Sequence, residues 1–333
     1  MTAADASSPW TVRRIVGWMA QDFAARGLPN PRLDADILVA HALGLDRVGV
    51  FLALDRELTD DELARIRGLL TRRRASEPIA YIVGKKEFYG LMFAVSPAVL
   101  VPRPDTETLV ARALQLLPAD SSAQVLDLCT GSGAIAIALA KERPALRVDA
   151  TDLSDAALAV ARENVAAHGL AERVTLHSGD LFAALPKPRR YAVVCANPPY
   201  IAERDARSLP RDVLAHEPHL ALFGGPDGLA IVARLVADAP DWLTPGGTVL
   251  LEIGAGQADA VLAMARANAS YAESRMHADL GGIPRVFEAR SRGGALARDE
   301  VEQRVVVRDE PALVDGDGLV GERVVVLDVE PQD

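Results

Sequence analysis

Between Trp10 and Ser76 apolar residues recur three and four positions apart, as in Leu63, Ile66, Leu69 and Leu70. That spacing stacks side chains on one face of an α-helix. Pro29 and Pro31 break the chain between the first two helical patterns, and Thr59 followed by Glu62 predicts a capping box that opens a later one. Residues 1–84 are therefore expected to form a small helical domain. From Glu87 to Ser96 the period shortens to alternation, with Phe88, Tyr89, Phe93 and Val95 around Gly90, which predicts a hairpin within a linker over 85–105. The proline-punctuated stretch Val101-Pro102-Arg103-Pro104-Asp105-Thr106-Glu107 then leads into a helix.

Over residues 106–290, short apolar runs alternate with helical periodicity. Strands are expected at Gln124 to Leu128, Leu146 to Thr151, Arg173 to His177, Tyr191 to Ala196 and Gly247 to Ile253. Strands separated by helices imply right-handed crossovers and a doubly wound, mostly parallel α/β sheet. Two further runs, Tyr271 to Leu280 and Arg285 to Arg290, could close it as an antiparallel pair. Residues 291–333 form a separate extension, in which Val305-Val306-Val307 and Val324-Val325-Val326 flank Asp315-Gly316-Asp317-Gly318 and suggest a hairpin to which no role is assigned.

Composition narrows the function classes. With 333 residues, half of them hydrophobic, the chain can bury a large core. No stretch approaches the roughly 18 consecutive apolar residues of a membrane span, and Met1 to Trp10 lacks an apolar signal core, so a soluble cytoplasmic protein is expected. The net charge of −10 argues against a broad grip on duplex nucleic acid and favours a protein or small-molecule substrate. Up to Gly84, eleven Arg face eleven Asp plus Glu, and the densest basic run, Arg72-Arg73-Arg74, reads as a solvated face. Cys129 and Cys195 both fall in apolar runs that read as buried strands, so neither a disulfide framework nor a zinc cluster is expected. His216 and His219 flank Glu217, but the intervening proline gives no fixed ligand face, and no metal is assigned.

Two segments carry the chemistry. Asp127-Leu128-Cys129-Thr130-Gly131-Ser132-Gly133 follows the first strand of the sheet and runs into a helix, the place where such folds bind nucleotides. The loop also fits the dinucleotide pattern Gly-x-Gly-x-x-Ala, which keeps a nicotinamide reading open. Asp127 is placed to face the cationic methionine end of S-adenosylmethionine. Asp152, ending the second strand, could accept from both ribose hydroxyls or simply cap the helix after it; Asp180 could receive an adenine amino group or serve as a turn residue. The second segment is Asn197-Pro198-Pro199-Tyr200, ending the fourth strand. An amide nitrogen is a poor nucleophile because its lone pair is delocalised. If the Asn197 side-chain oxygen and the Pro198 carbonyl each accept one hydrogen of a substrate NH2, they orient the nitrogen and stabilise its developing charge. The double proline stiffens the turn, and Tyr200 can pack against the flat amide.

With Glu217-Pro218 and Leu222-Phe223-Gly224-Gly225-Pro226-Asp227-Gly228-Leu229, these motifs resemble the release-factor glutamine methyltransferases over about residues 10 to 290. The resemblance implies a Rossmann-like class I S-adenosylmethionine-dependent methyltransferase domain behind a small N-terminal helical domain for substrate recognition. It implies methylation of the glutamine N5 in the Gly-Gly-Gln motif of class 1 peptide-chain release factors, without direct contact to nucleic acid or membrane. It places Cys129 through Gly133, Asp152 and Leu181 at cofactor-contact positions and Asn197 through Tyr200 on the substrate glutamine. Cys129 stands where glycine is frequent, which calls for a negative φ there, and Leu181 stands where some members carry tryptophan. Ribosomal-protein glutamine methyltransferases share the tetrad; nucleic-acid adenine N6-methyltransferases have a similar one but must extrude a base.

Overall fold

The computed structural model describes residues 9–187 and 189–292. The valine-rich runs after Arg292, and the hairpin expected there, lie outside the described residues.

The helical domain consists of α1 (Val12–Ala25), α2 (Pro31–Leu43), α3 (Arg47–Leu52), α4 (Asp60–Arg74) and α5 (Ile79–Val83). Pro31 is the first residue of α2, where its missing N–H costs nothing. Thr59 and Glu62 make the full reciprocal capping box at the start of α4. Phe23, Met19, Leu38 and Ile66 form the centre of the domain's core. The arginines ending α4 are only in part a solvated face: Arg72 is exposed, but Arg73 is not. Arg73 is buried and donates to Asp34 of α2 at 2.8 Å, Arg74 binds Asp22 of α1 at 2.6 Å, and Arg72 binds Glu77. Two of these arginines reach across to acids on neighbouring helices, and the third to the loop after its own helix, pairings that sequence spacing does not reveal.

The hairpin β1 (Lys85–Phe88) and β2 (Leu91–Ala94) follows, with Phe88 and Phe93 buried. After α6 (Glu107–Leu116) comes a seven-stranded sheet of order β5-β4-β3-β6-β7-β9-β8. Its strands are β3 (Gln124–Leu128), β4 (Arg147–Asp152), β5 (Val174–Ser178), β6 (Tyr191–Ala196), β7 (Leu243–Glu252), β8 (Tyr271–Ala278) and β9 (Pro284–Ser291). The first five pair in parallel, and β9 joins β7 and β8 in antiparallel fashion. Helices α7 (Ala134–Glu142), α8 (Asp155–Ala167), α11 (Ala230–Asp238) and α12 (Ala258–Ala267) supply crossovers, while the short α9 (Arg211–His216) and α10 (His219–Leu222) lie between β6 and α11. Strand β7 starts four residues before its expected position, because it carries Pro245 and Gly246 within its length and shifts register against β6. No helix among the described residues is long and apolar enough to cross a membrane.

Candidate active site

The chain order reverses between β3 and β6, which lie side by side in parallel with Leu128 opposite Ala196. Ligands of open α/β sheets bind in the crevice that this reversal opens at the strands' carboxyl ends. Here the register brings the glycine loop after β3 and the tetrad after β6 to the same edge. A cavity of about 270 Å³ opens there, and its wall includes Thr130, Gly131, Ser132, Asp152, Leu181 and Asn197.

The loop is held from both sides. Thr130 N–H donates to the Thr151 carbonyl at 2.9 Å, tying the loop to β4. Asp152 receives Gly131 N–H on Oδ2 at 2.8 Å and Ser154 N–H on Oδ1 at 2.9 Å. Asp152 does not itself cap α8, whose N-cap is Ser154, but it supports the turn before that helix and stands on the cavity wall. Burial raises its pKa, and the backbone N–H donors hold it down. Gly133, at φ +82°, caps α7 behind the wall. Asp127 also stands behind the loop. Its Oδ2 accepts from the Thr130 hydroxyl at 2.6 Å and from Ala136 N–H, while Oδ1 has no hydrogen-bond partner. Burial pushes its pKa up to about 7.

Two wall residues carry unusual backbone. Cys129 has φ +58° and Leu181 φ +48°. The negative φ required of a cysteine at 129 is thus not found: the turn keeps the left-handed conformation that glycine suits, and the side chain bears the strain, of order 1–3 kcal/mol. Nor is Cys129 a buried strand residue, for it follows the end of β3 and is only partly buried. Cys195 does lie buried in β6. Asp180 lines the cavity with its carboxylate paired to Arg234 at 2.6 Å.

In the tetrad, Asn197 and Pro199 line the cavity, and Pro198 and Tyr200 adjoin them without being part of the lining. Asn197 Nδ2 donates to Thr106 Oγ1 at 3.0 Å, which leaves Oδ1 as the amide's acceptor end. The Tyr200 hydroxyl donates to Glu252 Oε1 at 3.1 Å. The glycine-rich segment after α10 braces the turn from outside. Ile201 N–H donates to the Leu222 carbonyl, and Gly224 N–H donates back to Ile201. A Cβ on Gly224 would come within 2.4 Å of the Pro199 carbonyl oxygen, and one on Gly228, at φ +79°, within 2.2 Å of that of Tyr200. Only glycine permits such an approach of two backbones. Gln257 Nε2 closes the brace by donating to the Tyr200 carbonyl at 2.9 Å. Glu217 pairs with Arg103 at 2.5 Å, His216 bonds the Ala75 carbonyl, and His219 that of Leu214, so the three flanking residues turn to different partners.

Comparison with known proteins agrees with this arrangement. Residues 15–84 match the model of the PrmC N-terminal domain, and residues 106–221 that of the methyltransferase small domain. The release factor glutamine methyltransferase of Geobacter sulfurreducens is 43% identical over 281 residues, covering 84% of this chain and 97% of that protein. That of Moorella thermoacetica is 44% identical over 279 residues, covering 84% and 98%. The chain belongs to the release factor glutamine methyltransferases. It is accordingly a methyltransferase that acts on protein glutamine, and the oxidoreductase reading of its glycine loop is set aside. Three residues to which the sequence reading gave no role brace the tetrad. Thr106 and Glu252 join the tetrad from α6's approach and from β7, and Gln257 pins it from the start of α12. One signal was available: Glu252 is a lone acid at the carboxyl end of the apolar run Val249-Leu250-Leu251.

Proposed function

We propose that the enzyme transfers a methyl group from S-adenosylmethionine to the N5 nitrogen of the glutamine in the Gly-Gly-Gln motif of class 1 release factors. The observation that carries this reading is the sense of the Asn197 amide. Its Nδ2 is committed to Thr106, so the oxygen is the end available to accept a hydrogen from a substrate NH2. A carboxamide offers two such hydrogens, and the Pro198 carbonyl is the acceptor assigned to the second. Held this way, the nitrogen is oriented for in-line attack and the charge that develops on it is stabilised.

The residues around the glycine loop fit the cofactor. Asp152 retains acceptor capacity beyond its two backbone donors, as ribose hydroxyls require. The unpartnered Oδ1 of Asp127 is a spare acceptor behind the loop, and the positive charge of a bound methionine end would favour its ionised form. Leu181 offers apolar packing for the adenine, with Asp180 beside it for the amino group. When bound, S-adenosylmethionine supplies a sulfonium methyl: the carbon–sulfur bond breaks as the carbon–nitrogen bond forms, and the substituted amide returns to neutrality by losing one hydrogen as a proton. The chain needs no nucleophile of its own, which accords with the buried Cys195, whose thiol burial keeps protonated.

Incubation with S-adenosylmethionine and a recombinant class 1 release factor, followed by peptide fragmentation, should place 14 mass units, the net gain of one CH2, on that glutamine. Asn197→Ala should lower turnover about 10²- to 10³-fold, the scale of losing one preorganised transition-state hydrogen bond. Label on a ribosomal protein instead, or full turnover in Asn197→Ala, would overturn the reading.

A further inference from the structure

Glu252 is almost wholly buried at the end of β7, and its Oε2 has no partner in hydrogen-bond geometry. Its other oxygen receives the Tyr200 hydroxyl. Thr106 is buried as well, and its Oγ1 receives Asn197 Nδ2. Burial raises the pKa of Glu252, and the Thr106 and Tyr200 hydroxyls pull it back down. Tyr200 thus ends on the Glu252 carboxylate by a hydrogen bond, and Asn197 ends on Thr106, whose hydroxyl lies beside that carboxylate while one of its oxygens still lacks a partner. We infer that Glu252 and Thr106 are positioning residues that set the polarity of the Asn197 amide, and so make the site selective for an NH2-bearing substrate. The inference rests on the acceptor role of Asn197 proposed above.

The argument is one of donors and acceptors. The buried Glu252 oxygen without a partner is an acceptor in need of a donor, and the Thr106 hydroxyl beside it can turn its hydrogen that way. The Thr106 oxygen is then left as an acceptor, and the amide end that can satisfy it is Nδ2, not Oδ1. Asn197 is therefore locked with its oxygen toward the substrate. Without this chain the amide could turn over, since its two ends have nearly the same shape. A flipped Asn197 would present N–H donors, which repel a carboxamide NH2 and welcome a carboxylate. Around Glu252 the charged groups that bear on this setting are Arg285, which favours its ionised form, and Asp105, which opposes it.

Thr106→Val keeps the shape and removes the hydroxyl. We expect kcat on the release factor to fall about tenfold, the lower end of the roughly 10- to 100-fold lost when a hydrogen-bond partner that orients a functional side chain is removed, with KM changing less than about threefold. Thr106→Ser should restore turnover to within about threefold. Glu252→Gln tests the same chain from its other end. Its oxygen can still receive Tyr200, which turns the new NH2 toward Thr106 and reverses the hydroxyl, so a similar fall in kcat is expected. The decisive measurement is the double variant. If Thr106 acts through Asn197, Thr106→Val should change the turnover of Asn197→Ala less than about twofold. A second full loss in that background, or undiminished kcat in the single Thr106→Val enzyme, would overturn the inference while leaving the tetrad reading intact. Full turnover in Asn197→Ala would bring down the tetrad reading first.

Discussion

The carboxylates buried along the sheet divide by where they lie. On the antiparallel side, Glu288 of β9 is bound by Arg112, Arg275 and His277, and on β4 Asp149 is bound by His177, Arg189 and Tyr191. Burial pushes both pKa values up, but these partners outweigh it, and Glu288 falls to about 2. Around the cavity the balance reverses. Asp127, Glu217 and Glu252 each keep one buried oxygen without a partner, and burial leaves all three with raised pKa values. An unsatisfied buried polar group costs about 1–3 kcal/mol. Among the described residues that cost falls on these three and on the Thr151 hydroxyl of the cavity wall, whereas Glu288 and Asp149 along the same sheet are paired.

The contrast is sharpest by deletion. Glu288→Ala strips Arg112, Arg275 and His277 of their common partner, and should destabilise the protein by about 3 kcal/mol, the lower end of the scale for breaking a buried ion pair, since Arg275 is half exposed. Glu252→Gln removes a charge that is poorly solvated and keeps its volume, so its effect on stability should be within about 1 kcal/mol. Urea denaturation of the two variants checks the comparison. Equal destabilisation would mean that the unpartnered carboxylate is as much a structural pin as the paired one.

How much of this could be read beforehand follows the same division. The strands, the capping box at Thr59 and the tetrad's position after β6 rest on local spacing, and the sequence shows local spacing directly. The antiparallel closing pair was legible for the same reason. The pairing of Arg73 with Asp34 spans 39 residues, and that of Arg112 with Glu288 spans 176. Nothing in the spacing of either residue announces its partner, which is why an internal ion pair looked like a solvated run. Thr106 was visible only as part of a proline stretch, because its role depends on a contact 91 residues away. The left-handed φ at Cys129 is hidden for another reason: the loop's position imposes a backbone conformation that residue type alone argues against.

The two groups should also respond to pH with opposite signs. Glu288 has a folded pKa of about 2, below its ordinary 4.5. Its stabilisation is whole above pH 4.5 and is lost as the pH falls toward 2, by about 3 kcal/mol over the full range. Asp127 has a folded pKa of about 7, above its ordinary 3.8, so the native state holds a proton that the unfolded chain has released. Its contribution therefore declines as the pH rises from 3.8 to 7. The stability difference between wild type and Asp127→Asn should grow in favour of the variant over that interval. That between wild type and Glu288→Gln should shrink on acidification below about pH 4.5. Parallel profiles for the two variants would abolish the distinction.

The smallest expected effect concerns strain, not charge. Cys129 adopts a left-handed conformation on the cavity wall, and a side chain there costs of order 1–2 kcal/mol relative to glycine. Glycine at this position would relieve that strain but also widen the unfolded ensemble, an opposing effect of about 0.4–1 kcal/mol. The net gain from Cys129→Gly should be about 0.5–1 kcal/mol, seen as a rise of a few degrees in Tm at most. If the cysteine is merely tolerated, cofactor affinity will be unchanged in the more stable variant. If affinity falls as stability rises, the strained side chain contributes to the wall, and the site's departures from ideal structure extend from unpaired oxygens to the backbone itself.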